Sequence, residues 1–177
     1  FFGVMVSLIR QIPRADASMH AGRWDRSDLM GTELKGKTLG IVGVGRIGSE
    51  IATRAHAFGM DVVGFDPYIA EERFRSLRIR CAAKLDDLLD ESDILTVHTP
   101  LTDETRGMIG RRELARLRAG AIAANLARGG IIDESALAAS LTSGHLRGAA
   151  IDVYTAEPLA KDHPLRTLAN VVLTPHL

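Results

Sequence analysis

From residue 37 onward, short runs of β-branched and aliphatic residues alternate with longer stretches whose apolar positions recur at helical spacing. The runs are Thr38 to Val42, Asp61 to Phe65, Ile94 to His98, Ala121 to Asn125, Gly148 to Val153 and Val171 to Thr174. Several are almost continuously apolar, as strands buried on both faces are, whereas a half-exposed antiparallel sheet would alternate. Between them the pattern predicts helices over Arg46 to Phe58, Leu85 to Leu89, Arg111 to Leu117 and Glu134 to Ser143. Asp133 fits the N-cap of the last, where its carboxylate accepts an otherwise unpaired backbone N–H, and Gly144 fits the exit. The charge runs Glu71-Glu72-Arg73 and Arg111-Arg112-Glu113 read as solvated helix faces. Strand and helix alternating in this way predict right-handed crossovers and an α/β fold, a single domain with a Rossmann-type doubly wound parallel sheet.

Ahead of this core, residues 1 to 12 suit a helix that stops at Pro13, followed by a polar connection through Arg23-Trp24-Asp25-Arg26 to Gly36. The division is thus an N-terminal helix and linker over 1–36 and a core over 37–177. Trp24 among charges suits a packing or subunit-contact anchor better than a ligand platform. The apolar stretch Phe1 to Ile9 is too short to span a bilayer. It also lacks a basic segment in front, and Arg10 and Arg14 come after it, opposite to a secretory signal. A helix cut open at its start is the plainer reading. With no initiator Met and a stop one residue after His176, the sequence is expected to be a piece of a longer chain.

Composition narrows the function classes. The 177 residues carry 22 basic and 22 acidic side chains, scattered rather than gathered, so no basic footprint for nucleic acid is built. No membrane partner is expected either. Cys81 is the one cysteine, which excludes an internal disulfide and a cysteine-based metal cluster and suits a reducing, cytoplasmic setting. No histidine pair has metal-ligand spacing, and Asp86-Asp87 suits a solvated helix start, so no metal is expected.

Gly43-Val44-Gly45-Arg46-Ile47-Gly48 matches G-x-G-x-x-G, a weak pattern alone in a chain with 17 glycines. Its context is specific, because it follows the strand Leu39 to Val42 and opens a helix. Gly43 then makes the tight turn, Gly45 lets a pyrophosphate approach the backbone, and Gly48 lets helix and strand pack closely. Asp66 closes the next strand, 18 residues past Gly48, where a carboxylate accepts from adenosine ribose hydroxyls. It would repel a 2′-phosphate, and Pro67 and Tyr68 follow without an arginine, so NAD is expected over NADP. Arg46 suits the cofactor phosphates or solvent.

Three further polar groups follow strand-like runs. Arg128, before Gly129-Gly130, can grip a small carboxylate and carbonyl bidentately, although a solvated loop arginine is the commoner explanation of such spacing. Glu157 beside Pro158 would ordinarily be surface. His176, after Val171 to Thr174, suits proton transfer at a carbinol oxygen during hydride exchange, with Glu157 the candidate carboxylate that orients its ring. His98 ends a strand and suits a structural or cofactor-side role, while His20, His56, His145 and His163 are expected at the surface.

These residues carry a resemblance. Arg10-Gln11-Ile12-Pro13, Gly22-Arg23-Trp24, Gly31 to Gly40, the glycine motif, Phe58-Gly59-Met60, Asp66-Pro67-Tyr68, Val97 to Thr102, Ala127-Arg128-Gly129-Gly130 and Pro175-His176-Leu177 occur in order. The chain resembles the cofactor-binding domain of the D-isomer-specific 2-hydroxyacid dehydrogenases nearly end to end. The resemblance implies that Arg128 binds the substrate carboxylate and carbonyl, that His176 is the acid/base and that Glu157 pairs with it. It implies NAD contacts from Arg46, Ile47, Asp66, Thr99, Leu126, Ala127 and Asp152, the last near the nicotinamide carboxamide. It also implies a small 2-hydroxy or 2-keto acid as substrate and a homodimer or homotetramer formed through this domain, which would cover the N-terminal helix and Trp24. A discontinuous substrate domain, absent here, would complete the enzyme, leaving this part able to bind NAD but turn over little. Leu126 departs from the small or polar residue common at that place. A glyoxylate or hydroxypyruvate reductase and an NAD-sensing corepressor-like protein remain alternatives, while formate dehydrogenases normally carry glutamine where Glu157 stands.

Overall fold

The apolar runs become the strands of one parallel sheet. In the computed structural model, which describes residues 1–177, they are β1 (Thr38–Val42), β2 (Asp61–Phe65), β3 (Arg80–Cys81), β4 (Ile94–Val97), β5 (Ile122–Asn125), β6 (Gly148–Ile151) and β7 (Val171–Leu173). Their order is β3-β2-β1-β4-β5-β6-β7, and every pairing is parallel. The helices are α1 (Phe2–Ile9), α2 (Ile12–His20), α3 (Arg46–Ala57), α4 (Glu71–Ser76), α5 (Leu85–Glu91), α6 (Arg111–Arg116) and α7 (Glu134–Thr142).

Both faces of the sheet are covered, which explains the near-continuous apolar strands. Val42, Val63, Leu95, Val97, Ala123, Ala149 and Ile151 point to one face and pack with Leu88, Leu114, Leu137 and Leu141. Leu39, Ile41, Val62, Ile94, Ala124 and Ala150 point to the other and pack with Met5, Ile51, Ala52 and Phe74. Thus α5, α6 and α7 cover one side, and α1, α3 and α4 the other. No helix is long and apolar enough to cross a membrane.

Strand register positions the site. Val42 pairs with Phe65 and Val97, Val97 with Asn125, Asn125 with Ile151, and Ile151 with Leu173. The next residue of each strand therefore stands in one row along the carboxyl edge: Gly43, Asp66, His98, Leu126, Asp152 and Thr174. Strand order reverses between β1 and β4, where a doubly wound sheet opens its crevice.

The helix boundary at Pro13 is the main correction. The first helix ends at Ile9, Gln11 takes a left-handed conformation with φ 53°, and a new helix runs through Pro13 to His20. Proline is tolerated there because the first helical turn has no intrahelical acceptor for its missing N–H. The connection is accordingly more ordered than its polarity suggests, with a 3-10 turn over Arg26–Leu29 as well. The edge strand β3 has only two residues, both exposed, too few for any periodicity to register. Elsewhere the elements match the expected ranges to within a residue or two, and Asp133 caps α7 by accepting from Ala136 N at 2.9 Å.

Gly40 is where the sheet meets α5 most closely. A Cβ on it would overlap Ser92 Oγ and stand 2.8 Å from Leu88 Cδ2. Gly40→Ala should therefore destabilise the fold by about 1–3 kcal/mol, as overpacking does. Urea denaturation of both forms measures this, and equal midpoints would contradict the packing.

Candidate active site

The turn after β1 presents three glycines with separate steric roles. Gly43 has φ +92°, and a Cβ on it would stand 2.7 Å from His98 O. A Cβ on Gly48 would overlap the Gly43 carbonyl, so α3 can approach the turn only with glycine there. Gly45 has nothing within 4 Å of its Cβ position. Bare backbone, open space and the N-terminus of a twelve-residue helix with no side-chain cap fit a pyrophosphate. Arg46 and Ile47 begin that helix and are exposed.

Around the turn the polar groups are already arranged. Asp66 Oδ2 accepts Val44 N–H at 2.9 Å and Oδ1 accepts Tyr68 N–H at 3.0 Å, so the carboxylate ties β2 to the glycine turn. Tyr68 Oη donates to Glu104 Oε2 at 2.6 Å, bridging the loops after β2 and β4. Thr99 Oγ1 is buried with no hydrogen-bond partner. An orphaned hydroxyl beside a glycine cradle fits a polar ligand that completes its bonding. No group of three or more His, Cys, Asp or Glu side chains is placed to hold a metal ion.

At the middle of the edge, a cavity of about 330 Å³ is lined by Phe1, Ile47, His98, Leu126, Asp152 and Leu177, among others. His98 is pinned by a 2.8 Å contact between its Nε2 and Thr96 Oγ1, with the Phe1 ring edge-on to it. Leu126 packs against the core cluster under the glycine turn, so its bulk extends the apolar wall of this cavity. The following turn is held by Asn125, whose Nδ2 donates to Arg128 O at 2.9 Å and whose Oδ1 accepts Ala127 N–H at 3.2 Å.

Glu157 and His176 meet. His176 Nδ1 lies 2.9 Å from Glu157 Oε2, while Glu157 Oε1 accepts Tyr154 N–H at 3.0 Å. The His176 ring, and after it the Tyr154 N–H, hold the Glu157 carboxyl below the usual carboxylate range. His176 has φ 58°, a conformation a non-glycine residue rarely adopts. Asp152 holds this segment, since its Oδ1 accepts Thr174 Oγ1–H at 2.5 Å and Leu177 N–H at 3.0 Å. Tyr154 Oη donates to Thr174 O at 2.9 Å. Beside the pair opens a cavity of about 590 Å³ lined by Tyr154, Glu157, Arg166 and His176, among others.

Arg128 makes no hydrogen bond to this pair. Its exposed guanidinium donates from Nη1 to Ala127 O at 2.6 Å. Its loop is nonetheless seated against the loop of Glu157, because a Cβ on Gly129 would overlap Tyr154 O.

Sequence reasoning missed Asn125, Tyr154 and Thr174 as shapers of the site. A polar residue closing an apolar strand was the available signal for Asn125. Three of the four histidines expected at the surface are half-buried and held: His56 Nε2 contacts Leu77 O at 3.1 Å, His145 Nε2 contacts Leu114 O at 3.1 Å, and His163 Nε2 contacts Glu134 Oε2 at 3.1 Å. Each ring bridges elements distant in sequence, which no local pattern reveals. His20 is exposed as expected, and Trp24 is 77% exposed.

The family model described as the D-isomer specific 2-hydroxyacid dehydrogenase NAD binding domain matches residues 2–177. D-3-phosphoglycerate dehydrogenase of Methanocaldococcus jannaschii is 48% identical over 174 residues, which cover 98% of this chain and 33% of that protein. The phosphoglycerate oxidoreductase of Vibrio cholerae superposes with a TM-score of 0.93 at 31% identity, over 99% of this chain and 57% of the other. The NAD-dependent formate dehydrogenase of Staphylococcus aureus, solved with NAD, superposes at 0.89 with 33% identity, over 97% of this chain and 51% of the other. The chain spans about a third of the length of the curated relatives it matches.

Burial pushes His98 down to about 4. Below the ordinary histidine value of 6.5 the unfolded chain takes up a proton that the folded protein refuses until about pH 4. Stability from this group is therefore complete above 6.5 and falls as pH drops through 6.5 towards 4. Moving from pH 7 to pH 5 should cost the wild type about 2 kcal/mol more than it costs His98→Gln, read by urea denaturation at both pH values. An equal acid loss in the two forms would show that His98 does not refuse the proton.

Proposed function

This chain belongs to the D-isomer-specific 2-hydroxyacid dehydrogenases, matching their NAD-binding domain, and from that premise we propose that it is the cofactor half of a D-3-phosphoglycerate dehydrogenase. The contact that carries the catalytic part of this reading is His176 Nδ1 to Glu157 Oε2, on the same sheet edge as the glycine turn. The phosphoglycerate assignment is supported by the identity of relatives bearing that name. NAD, when bound, accepts a hydride from carbon 2 of the hydroxy acid or returns one to the keto acid.

The chain's own residues supply binding and proton movement. His176 takes the hydroxyl proton at Nε2, the nitrogen turned away from Glu157, during oxidation and gives it back during reduction. Glu157 holds the ring in the tautomer that leaves Nε2 free to accept. Arg128 grips the carboxylate and the carbonyl oxygen of the substrate, a task suited to a planar fork of donors. Gly43, Gly45, Gly48, Arg46 and Ile47 seat the pyrophosphate, and Asp66 accepts the ribose hydroxyls. Thr99, Leu126 and Ala127 contact the cofactor, and Asp152 stands near the nicotinamide carboxamide.

Residues 1–36 serve as entry helix and linker and 37–177 as the Rossmann core, with the substrate domain contributed by chain outside this sequence. Its closure over the edge would exclude water and fix the reacting carbon. A second copy of this domain is the proposed partner, supported by the exposed apolar side chains of Ile12, Met19, Trp24 and Met30. A cytoplasmic setting suits the free, exposed Cys81.

Calorimetric titration with NADH and NADPH tests the cofactor assignment. The domain should bind NADH at least tenfold more tightly, and Asp66→Ala should abolish the preference, since hydrogen bonds to a charged group are worth about 1.5–3 kcal/mol. Equal binding of both cofactors by the wild type would remove Asp66 from the role. In the full-length protein oxidising 3-phosphoglycerate, His176→Gln should lower kcat by about 10²–10⁴ with NADH affinity retained. An unchanged kcat would rule out His176 as the acid/base.

A further inference from the structure

A second carboxylate–imidazole pair lies behind the first. Glu134, the opening residue of α7, is only 14% exposed at its side chain, and His163 is 20% exposed. Glu134 Oε2 faces His163 Nε2 at 3.1 Å. Leu165 N–H donates into His163 Nδ1 at 3.3 Å, which leaves the ring proton on Nε2, directed at the carboxylate. The other oxygen, Glu134 Oε1, accepts both Thr155 N–H at 2.6 Å and Thr155 Oγ1–H at 2.8 Å.

Thr155 is exposed, yet it is clamped from beneath by a largely buried carboxylate. It lies between Tyr154, whose N–H binds Glu157 Oε1, and Glu157 itself. The Gly129 backbone abuts the same Tyr154–Thr155 peptide, and Glu134 follows that glycine by five residues. One carboxylate thus joins the loop of Arg128, through the start of α7, to the loop of Glu157. A surface loop that merely closed a fold would be anchored by any apolar contact. This one is anchored by two short bonds to an ionised group, and burying such a group is costly unless all its bonds are made.

We propose that Glu134 is a positioning residue for the Glu157–His176 pair, acting through Thr155, with His163 fixing the orientation of its carboxylate. The inference rests on the roles proposed above for Glu157 and His176. It assigns to the start of α7 the setting of the His176 tautomer, without contact to substrate or cofactor.

The tautomer of His176 is the readout, measured from imidazole ¹⁵N shifts in the labelled chain above the histidine titration range. Glu157 as acceptor holds the wild-type ring with its proton on Nδ1, and Glu157→Ala should release it to the Nε2-protonated form that free imidazole side chains favour. Glu134→Ala should move His176 at least halfway to the Glu157→Ala population while the amide spectrum of β1 and β4 stays native. Glu134→Gln, whose amide oxygen still accepts from Thr155, should remain near the wild type. Should Glu134→Ala fail to fold, Thr155→Val, at an exposed position, should shift the population in the same direction by a smaller amount. A wild-type tautomer in folded Glu134→Ala, or in Thr155→Val where that variant replaces it, overturns the inference, as does a Glu134→Gln form displaced as far as the alanine variant. If Glu157→Ala itself leaves His176 unchanged, the Glu157–His176 reading fails and the inference falls with it.

Discussion

Everything at this site depends on seven strands that all run the same way. Parallel pairing forces each connection to cross over the sheet, and the crossovers bury both faces under helices. The same constraint sends every strand's carboxyl end to one edge. Because the register brings Val42, Phe65, Val97, Asn125, Ile151 and Leu173 level, the residues that follow them form a single row. The candidate groups Arg128, Glu157 and His176 lie on the loops just beyond that row, where backbone leaves the sheet next to open space.

Residues in and just behind the row do structural work before any ligand arrives. Asp66 holds the glycine turn through Val44, Asn125 shapes the turn that carries Arg128, and Asp152 pins Thr174 and Leu177 on either side of His176. Each is an acceptor at the end of a strand, where the ladder stops and loop N–H groups need partners. Pre-formed bonds of this kind hold loop side chains in place ahead of any ligand. His176 shows the consequence: its left-handed backbone is held by neighbours on both sides, with Glu157 at the ring.

Much of this was legible in the residues. The strands of the core, the glycine turn, the Asp133 cap and the pairing of Glu157 with His176 are all expected from the residues. Periodicity marks β1 and α3 within a few residues and a carboxylate cap needs only a span of three, while the Glu157–His176 pairing is expected from what proton transfer at a carbinol oxygen requires. The two-residue β3 is too short to carry a period. Pro13 misled because proline ends a helix in its interior but is welcome in its first turn, and only the left-handed Gln11 shows which applies.

The sequence by itself determined the fold class, the turn that suits a dinucleotide and the identity of the three polar groups proposed for chemistry. The first two follow from side-chain volume, charge and spacing along the chain, whereas Arg128 and Glu157 are singled out through the family resemblance, since spacing alone favours a surface place for both. Only the tertiary structure decided that His163 meets Glu134 across 29 positions, that Gly129 presses on Tyr154, and that His98 is half-buried and gives up its proton well below neutrality. Those contacts join segments whose separation is set by strand order and helix packing, and no local pattern encodes which distant residue will stand opposite.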